Sequence, residues 1–215
     1  PLVSARRLTS TRSGMQRRVL QWGETHRRDL PWRRVRDPWS ILVAEAMLQQ
    51  TQVDRVIPKW IEFLARWPEP AVAAAAGLPE LLATWQGLGY PRRVRNLRTA
   101  AQICVSDHDG SLPTSLTGLL ALPGVGPYTA RAILVFAFEE DEAVVDTNIA
   151  RVLARVSGEP IGAAAAQRAA DELVPAGRGW EWNQTLMDVG ALLCRPTPRC
   201  ESCPIAPSCA WHLSG

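Results

Sequence analysis

A chain of 215 residues with 47% hydrophobic side chains is long enough to bury a substantial core, as one or two domains. Its longest apolar runs are broken by Glu45 and Arg131, so no segment reads as a membrane span, and Pro1-Leu2-Val3 does not open the apolar core of a secretory signal. The formal net charge is only +3, yet residues 1–36 hold ten arginines against Glu24 and Asp29, a basic face that is either a solvated surface or a nucleic-acid contact.

The helical period dominates, and no stretch alternates apolar and polar residues between hairpin turns, which predicts an all-α protein. Helices are expected over 13–28, 38–50, 53–66, 70–75, 78–85, 91–107, 115–120, 127–137, 147–156, 163–174 and 181–192, separated by Pro, Gly or Ser/Asp signals. Residues 1–13, rich in Arg, Ser and Thr and free of acids, read as a trimmed or flexible N-terminus, with a transit peptide as the alternative. The alanine-rich stretches at 71–76 and 163–166 reflect helix propensity and need no special function.

In the second predicted helix, Glu45 follows Ile41 and Leu42 and precedes Leu48, so its carboxyl faces an apolar setting that raises its pKa and suits a general acid. The alternative is a glutamate at a helix edge reaching water. Lys59 is the only lysine, in Ile57-Pro58-Lys59-Trp60, and reads as a surface residue. Cys104 sits in a helix of apolar periodicity and reads as a small buried hydrophobe.

Leu122-Pro123-Gly124-Val125-Gly126-Pro127-Tyr128-Thr129-Ala130 carries a phosphate grip: two glycines let backbone amides approach a phosphate, and the helix starting at Pro127 turns its positive end toward it. Asp146, before Thr147-Asn148-Ile149, is a good N-cap; a capping carboxylate near the helix dipole stays ionised, so Glu45 and Asp146 are pushed apart in pKa as acid and charge stabiliser. Finally, Cys194-x5-Cys200-x2-Cys203-x5-Cys209 has ligand spacing, for a [4Fe-4S] cluster or, as the alternative, zinc; a disulfide framework is the least favoured reading.

These motifs, with Arg28-Asp29-Leu30-Pro31-Trp32-Arg33, Ala44-Glu45-Ala46-Met47-Leu48-Gln49-Gln50-Thr51-Gln52-Val53, Gly87-Leu88-Gly89-Tyr90 and Trp182-Asn183-Gln184-Thr185-Leu186-Met187-Asp188-Val189-Gly190, resemble the helix-hairpin-helix DNA glycosylases. Within that superfamily the match is to the MutY-type adenine glycosylases, from about Trp22 to Cys209. The resemblance implies two helical domains with the active site in the cleft between them. One is a six-helix domain over 37–144 with its hairpin at about 116–137; the other is an iron-sulfur domain from 1–36 and 145–215.

By resemblance, Glu45 protonates adenine N7, and Asp146 stabilises the oxocarbenium-like sugar or acts as a transient nucleophile. Tyr128 and Asn148 support the Asp146 end, and Arg28, Trp32, Arg33 and Gln184 line the base pocket. Gln50, Thr51 and Tyr90 fill the gap left by the extruded base. Gly124, Val125, Gly126, Arg195 and Arg199 meet the DNA backbone, and Cys194, Cys200, Cys203 and Cys209 hold the cluster.

Three departures bear on the expectation. The first cysteine gap has five residues where the family usually has six. Bifunctional members carry a lysine at the position of Tyr128, which implies base removal without strand cleavage here. Most MutY proteins also continue past the cysteines into a domain that recognises 8-oxoguanine, so this chain is either a trimmed catalytic part or a short relative. The expected substrate is double-stranded DNA with adenine opposite 8-oxoguanine or guanine, handled by a cytoplasmic, nucleoid-associated monomer without a membrane partner. Mismatch thymine/uracil glycosylases are the runner-up, and a non-catalytic iron-sulfur lesion-binding protein is the alternative of another class.

Overall fold

A computed structural model describes the backbone of residues 2–214 and the side chains of residues 12–214. Every regular element among them is helical, as the periodicity predicts, and no helix among them is long and apolar enough to cross a membrane. The chain opens with α1 (Leu2–His26) and divides into two compact units, Asp29–Glu139 and Pro1–Arg28 with Glu140–Gly215.

The continuous unit begins with a 3-10 turn, Pro31–Arg33. It then runs through α2 (Pro38–Leu48), α3 (Val53–Arg66), α4 (Pro70–Ala75), α5 (Leu78–Thr84), α6 (Arg92–Asp107), α7 (Leu116–Leu120) and α8 (Pro127–Phe136). Helix α2 is its centre: Trp39 through Met47 are all buried, and α3, α6 and α8 pack around it. A helix apolar on every side is stable only when surrounded in this way. Its start is set by Pro38 and by Asp37, whose Oδ2 accepts from Ser40 N at 2.7 Å and Ser40 Oγ at 2.5 Å, a cap worth about 1 kcal/mol.

Helix α3 is amphipathic by contrast and turns Val56, Trp60 and Phe63 inward at helical spacing. The indoles bury without orphaned donors, since Trp60 Nε1 donates to the Ser40 carbonyl at 2.8 Å and Trp39 Nε1 to the Trp67 carbonyl at 3.0 Å. The alanines of α4 lie against α6, their small side chains permitting close approach.

The other unit joins the two ends of the chain. It adds α9 (Thr147–Ser157), α10 (Ala163–Asp171), α11 (Gly179–Asp188), a π-type turn over Val189–Leu193, short 3-10 turns at Cys200–Ser202 and Ala206–Ser208, and α12 (Ala210–Leu213). Its core combines Met15 and Val19 of α1 with Ile149, Val152 and Leu153 of α9, Ala166 and Ala170 of α10, and Trp182 and Leu186 of α11.

Two expectations need correction. Helix α1 begins at Leu2 rather than near residue 13, because its first turns carry Arg, Ser and Thr without an apolar period to announce them. The helix predicted to end at 192 stops at Asp188 and passes into the π-type turn that leads to the cysteines.

Candidate active site

In the continuous unit, Glu45 lies two-thirds of the way along α2 and is 7% exposed, with buried Ile41 and Leu42 one turn before it. The sequence leaves open an acid at a helix edge; the structure encloses it. The 3-10 turn that packs on α2 buries Trp32 and Arg33, and the Trp32 ring meets Trp60 edge-on at 6.1 Å. Lys59, on α3, pairs with Glu62 at 3.0 Å. Cys104 is fully buried, and that burial pushes its thiol up to about 11.

The hairpin is α7, a turn and α8. Gly124 has φ +82°, and a Cβ there meets the Asn96 side chain at 2.9 Å, so both backbone conformation and packing require glycine. Gly126 caps α8 in extended conformation with open space where a Cβ would stand. Nothing inside the chain demands a glycine at 126. The Val125 N–H donates back to the Leu122 carbonyl at 3.1 Å and Val125 is buried. Among the described residues, no acceptor takes the N–H of Gly124 or Gly126; Gly124 is exposed and Gly126 half-buried. Tyr128 is half-buried in the first turn of α8.

Two further loops present Gln50, Thr51 and Tyr90. Gln50 (φ 55°) and Tyr90 (φ 47°) adopt left-handed backbone, and Tyr90 is 59% exposed. Tyr90 thus lies largely in solvent rather than packed beside its glycine turn. Both loops are tied to Arg93.

In the unit built from the chain ends, Asp146 caps α9. Its Oδ1 accepts from Ile149 N at 2.7 Å and its Oδ2 from Asn148 Nδ2 at 2.9 Å, which sets negative charge against the positive end of the helix. Asn148 Oδ1 in turn accepts from Arg151 Nη2 at 2.8 Å. Arg151 also donates to the Gly190 carbonyl at 2.9 Å and the Cys194 carbonyl at 2.7 Å. One chain of hydrogen bonds therefore runs from the Asp146 carboxylate to the first cysteine of the array.

Arg28 is held by fully buried Asp188, which accepts from its backbone N at 2.8 Å and its Nε at 2.6 Å. Gln184 is 4% exposed, and among the described residues no hydrogen bond engages its amide. The exposed helical glutamine that sequence statistics favour is not what α11 presents.

Cys194, Cys200, Cys203 and Cys209 form no disulfide, are half-buried and line one pocket with Arg155, Leu193 and Trp211. Burial, and then the charges of Cys209 and Cys194, push the Cys200 thiol up; burial does the same for Cys203, with Cys194 and Cys200 adding to it. Arg155 ties the loop down: Nη1 donates to Cys194 Sγ at 3.3 Å and to the Arg195 carbonyl at 2.7 Å, and Nη2 to the Pro196 carbonyl at 3.1 Å. Among the described residues no three His, Cys, Asp or Glu side chains converge on a single-ion position. Arg195 and Arg199 are exposed on the loop.

The expected site residues thus divide between the units. Trp32, Arg33, Glu45, Gln50, Thr51, Tyr90 and the hairpin belong to the continuous unit, and Arg28, Asp146, Asn148, Gln184 and the cysteines to the other. Arg93, Arg151, Arg155 and Asp188 escape a reading by motif. Each acts on groups distant in the chain, and the only sequence signal is that all four lie in or beside segments already singled out.

The family described as HhH-GPD superfamily base excision DNA repair protein matches residues 43–176. The chain is 42% identical over 203 residues to an adenine DNA glycosylase of Mycolicibacterium smegmatis, covering 92% of this chain and 69% of that protein. It is 39% identical to the human adenine DNA glycosylase over 89% of this chain, but over only 38% of the human protein. Among solved structures, a thermostable thymine-DNA glycosylase superposes with a TM-score of 0.92 at 30% identity, over 97% of this chain and 99% of that one. An endonuclease III trapped on DNA superposes with a TM-score of 0.82 at 21% identity, over 96% and 97%, which is a likeness of fold alone.

Proposed function

The chain belongs to the HhH-GPD superfamily of base excision DNA repair proteins, and on that premise we propose that it is a monofunctional DNA glycosylase, removing adenine mispaired with 8-oxoguanine or guanine from double-stranded DNA. The observation that carries the chemistry is Asp146, a carboxylate at the start of α9 oriented by two donors. An anion so fixed is what a developing sugar cation needs. Glu45, enclosed by apolar side chains, supplies the proton.

The steps follow. Glu45 protonates a ring nitrogen of the extruded adenine, and the N-glycosidic bond breaks with its electron pair leaving on the base. Asp146 stabilises the positive charge that develops on the deoxyribose. Water adds to C1′, and the proton it loses restores the acid, leaving free adenine and an abasic site. A positioned acid contributes about 10²- to 10⁴-fold. No lysine stands near the hairpin, where Tyr128 occupies the first turn of α8, and Lys59 is paired with Glu62. Without a lysine in the hairpin to form a Schiff base, the strand stays intact.

Base recognition draws on Gln184, whose unengaged amide can both donate to and accept from an adenine edge. Arg28, fixed by Asp188, and the buried Trp32 and Arg33 are the further side chains assigned to base contacts. The Gly124 and Gly126 amides and the exposed Arg195 and Arg199 hold the DNA backbone. The protein works as a monomer at the nucleoid, where this substrate is.

Cys194, Cys200, Cys203 and Cys209 would hold a [4Fe-4S] cluster. The four thiols line one pocket, and four cysteine thiolates are the ligand set such a cluster takes. The cluster's part when bound is structural, fixing the loop that carries Arg195 and Arg199.

A second reading, thymine or uracil opposite guanine, has one observation in its favour, the thymine-DNA glycosylase that superposes so closely. The adenine reading is preferred because the relatives at 35 to 42% identity include adenine glycosylases from bacteria, mammals and a plant. Labelled duplexes carrying A:8-oxoguanine, A:G, T:G and U:G, treated with alkali after incubation, separate the two. The expected cleavage is confined to the adenine strands and requires the alkali. Cleavage only in the T:G or U:G duplexes would falsify the adenine assignment, and borohydride-trappable scission without alkali would overturn the monofunctional one.

A further inference from the structure

The turn after α2 and the loop before α6 lie about forty residues apart in the chain, yet one side chain binds both. Arg93 directs Nη1 to the carbonyls of Ala46, Met47 and Gln49 at 2.8, 2.9 and 2.6 Å. Its Nη2 reaches the carbonyls of Leu88 and Gly89 at 2.7 and 3.1 Å and Thr51 Oγ1 at 3.2 Å. Its guanidinium carbon also lies 5.4 Å from the Tyr90 ring centroid and 5.6 Å from that of Trp85. Thr51 Oγ1 adds a direct link to the Leu88 carbonyl at 3.2 Å.

Ala46 and Met47 belong to the last turn of α2, whose carbonyls have no partner within the helix and whose negative end favours a cation. Only a planar fork presents separate nitrogens to two loops at once; a lysine ammonium offers a single point. The loops so joined are strained. Gln50 and Tyr90 each hold left-handed backbone, which is unfavourable for a residue with a Cβ and persists only where the surroundings impose it. Both side chains are nonetheless exposed. Backbone so held leaves both side chains available to a partner outside the chain.

We propose that Arg93 is a positioning residue that locks Gln50, Thr51 and Tyr90 into one rigid, two-pronged wedge, which enters the duplex where a nucleotide is extruded. The proposal rests on the glycosylase reading above. Unpairing and unstacking cost a few kcal/mol, and prongs ordered beforehand offset that cost without losing loop entropy on binding.

The test uses Arg93→Lys and Arg93→Ala in the full chain, with thermal unfolding to confirm folding. Fluorescence of 2-aminopurine, placed in the base step beside the target, reports unstacking on binding whether or not a base is removed. Single-turnover excision is measured in parallel on adenine opposite guanine and opposite an abasic-site analogue. Wild type is expected to raise the fluorescence, and both variants to raise it far less. Excision by the variants should fall about tenfold on A:G, equivalent to about 1.4 kcal/mol. The loss should shrink opposite the abasic analogue, where there is no pair to open.

In a Tyr90→Ala background, Arg93→Lys should add little, because the two act as a unit. Equal losses on both duplexes, or a wild-type fluorescence response in Arg93→Lys, would overturn the proposal, since a purely structural role weakens every substrate alike. If Arg93→Ala does not fold, Arg93→Lys and Thr51→Val carry the same comparison. A wild-type protein that excises no adenine but shows an Arg93-dependent fluorescence response would sink the adenine reading and leave the wedge standing.

Discussion

Asp146 combines two roles in one carboxylate, and a substitution can part them. As N-cap it satisfies the Ile149 amide, and as an anion it faces the sugar in the proposed reaction. Asparagine caps a helix about as well as aspartate, so Asp146→Asn should keep the melting temperature and DNA affinity near wild type. Base release should fall by about 10²-fold or more, the scale of losing an electrostatic stabiliser of the transition state. Single-turnover excision beside a thermal melt checks this, and an active Asp146→Asn would remove the residue from the chemistry. The cap and the apolar setting of Glu45 are local patterns, visible in a few neighbouring residues. The groups that orient them are not: Arg151 reaches Cys194 across 43 positions, and Arg28 meets Asp188 across 160. A single sequence does not say which of these residues pair.

Helix starts were legible for a physical reason, since Pro38, Pro70 and Pro127 each stand at the first helical position, where the missing N–H costs nothing. The early turns of α1 and the π-type turn after α11 lack any such mark, because neither an apolar period nor a breaker sets their limits. Within the hairpin, the two glycines answer different needs. Gly124→Ala must place a Cβ at φ +82° and against Asn96. It should therefore cost about 1–2 kcal/mol of stability and weaken DNA binding as the turn shifts. Gly126→Ala meets nothing inside the protein, so its stability should stay within about 0.5 kcal/mol of wild type. Any loss of affinity then reports a Cβ standing where a phosphate approaches. Chemical denaturation with fluorescence-anisotropy binding distinguishes them, and unchanged DNA affinity in Gly126→Ala would mean that the hairpin does not grip DNA through that amide.

At the scale of the whole molecule, the fold places its two kinds of stability in different units. Asp29–Glu139 is one stretch of chain around α2 and holds itself together by apolar burial, with Arg93 tying two of its turns. The other unit must join α1 to segments more than a hundred residues later, and its C-terminal part is irregular, held by Arg151, Arg155 and the thiols. Burial, and then the neighbouring thiols, push Cys200 and Cys203 up, and ligation to a metal core would offset that cost. Removing the proposed cluster from the purified protein should therefore loosen one unit selectively. By hydrogen exchange read peptide by peptide, amides after Val189 should lose protection first, and those of α9 and α11, which carry Asp146 and Gln184, should follow. The amides of α2, α3 and α6 should exchange at their original rates. Equal loss across both units would show that the two cores unfold as one. Full protection after metal removal would show that the arginine contacts alone suffice to hold the cysteine loop, leaving the cluster no structural part.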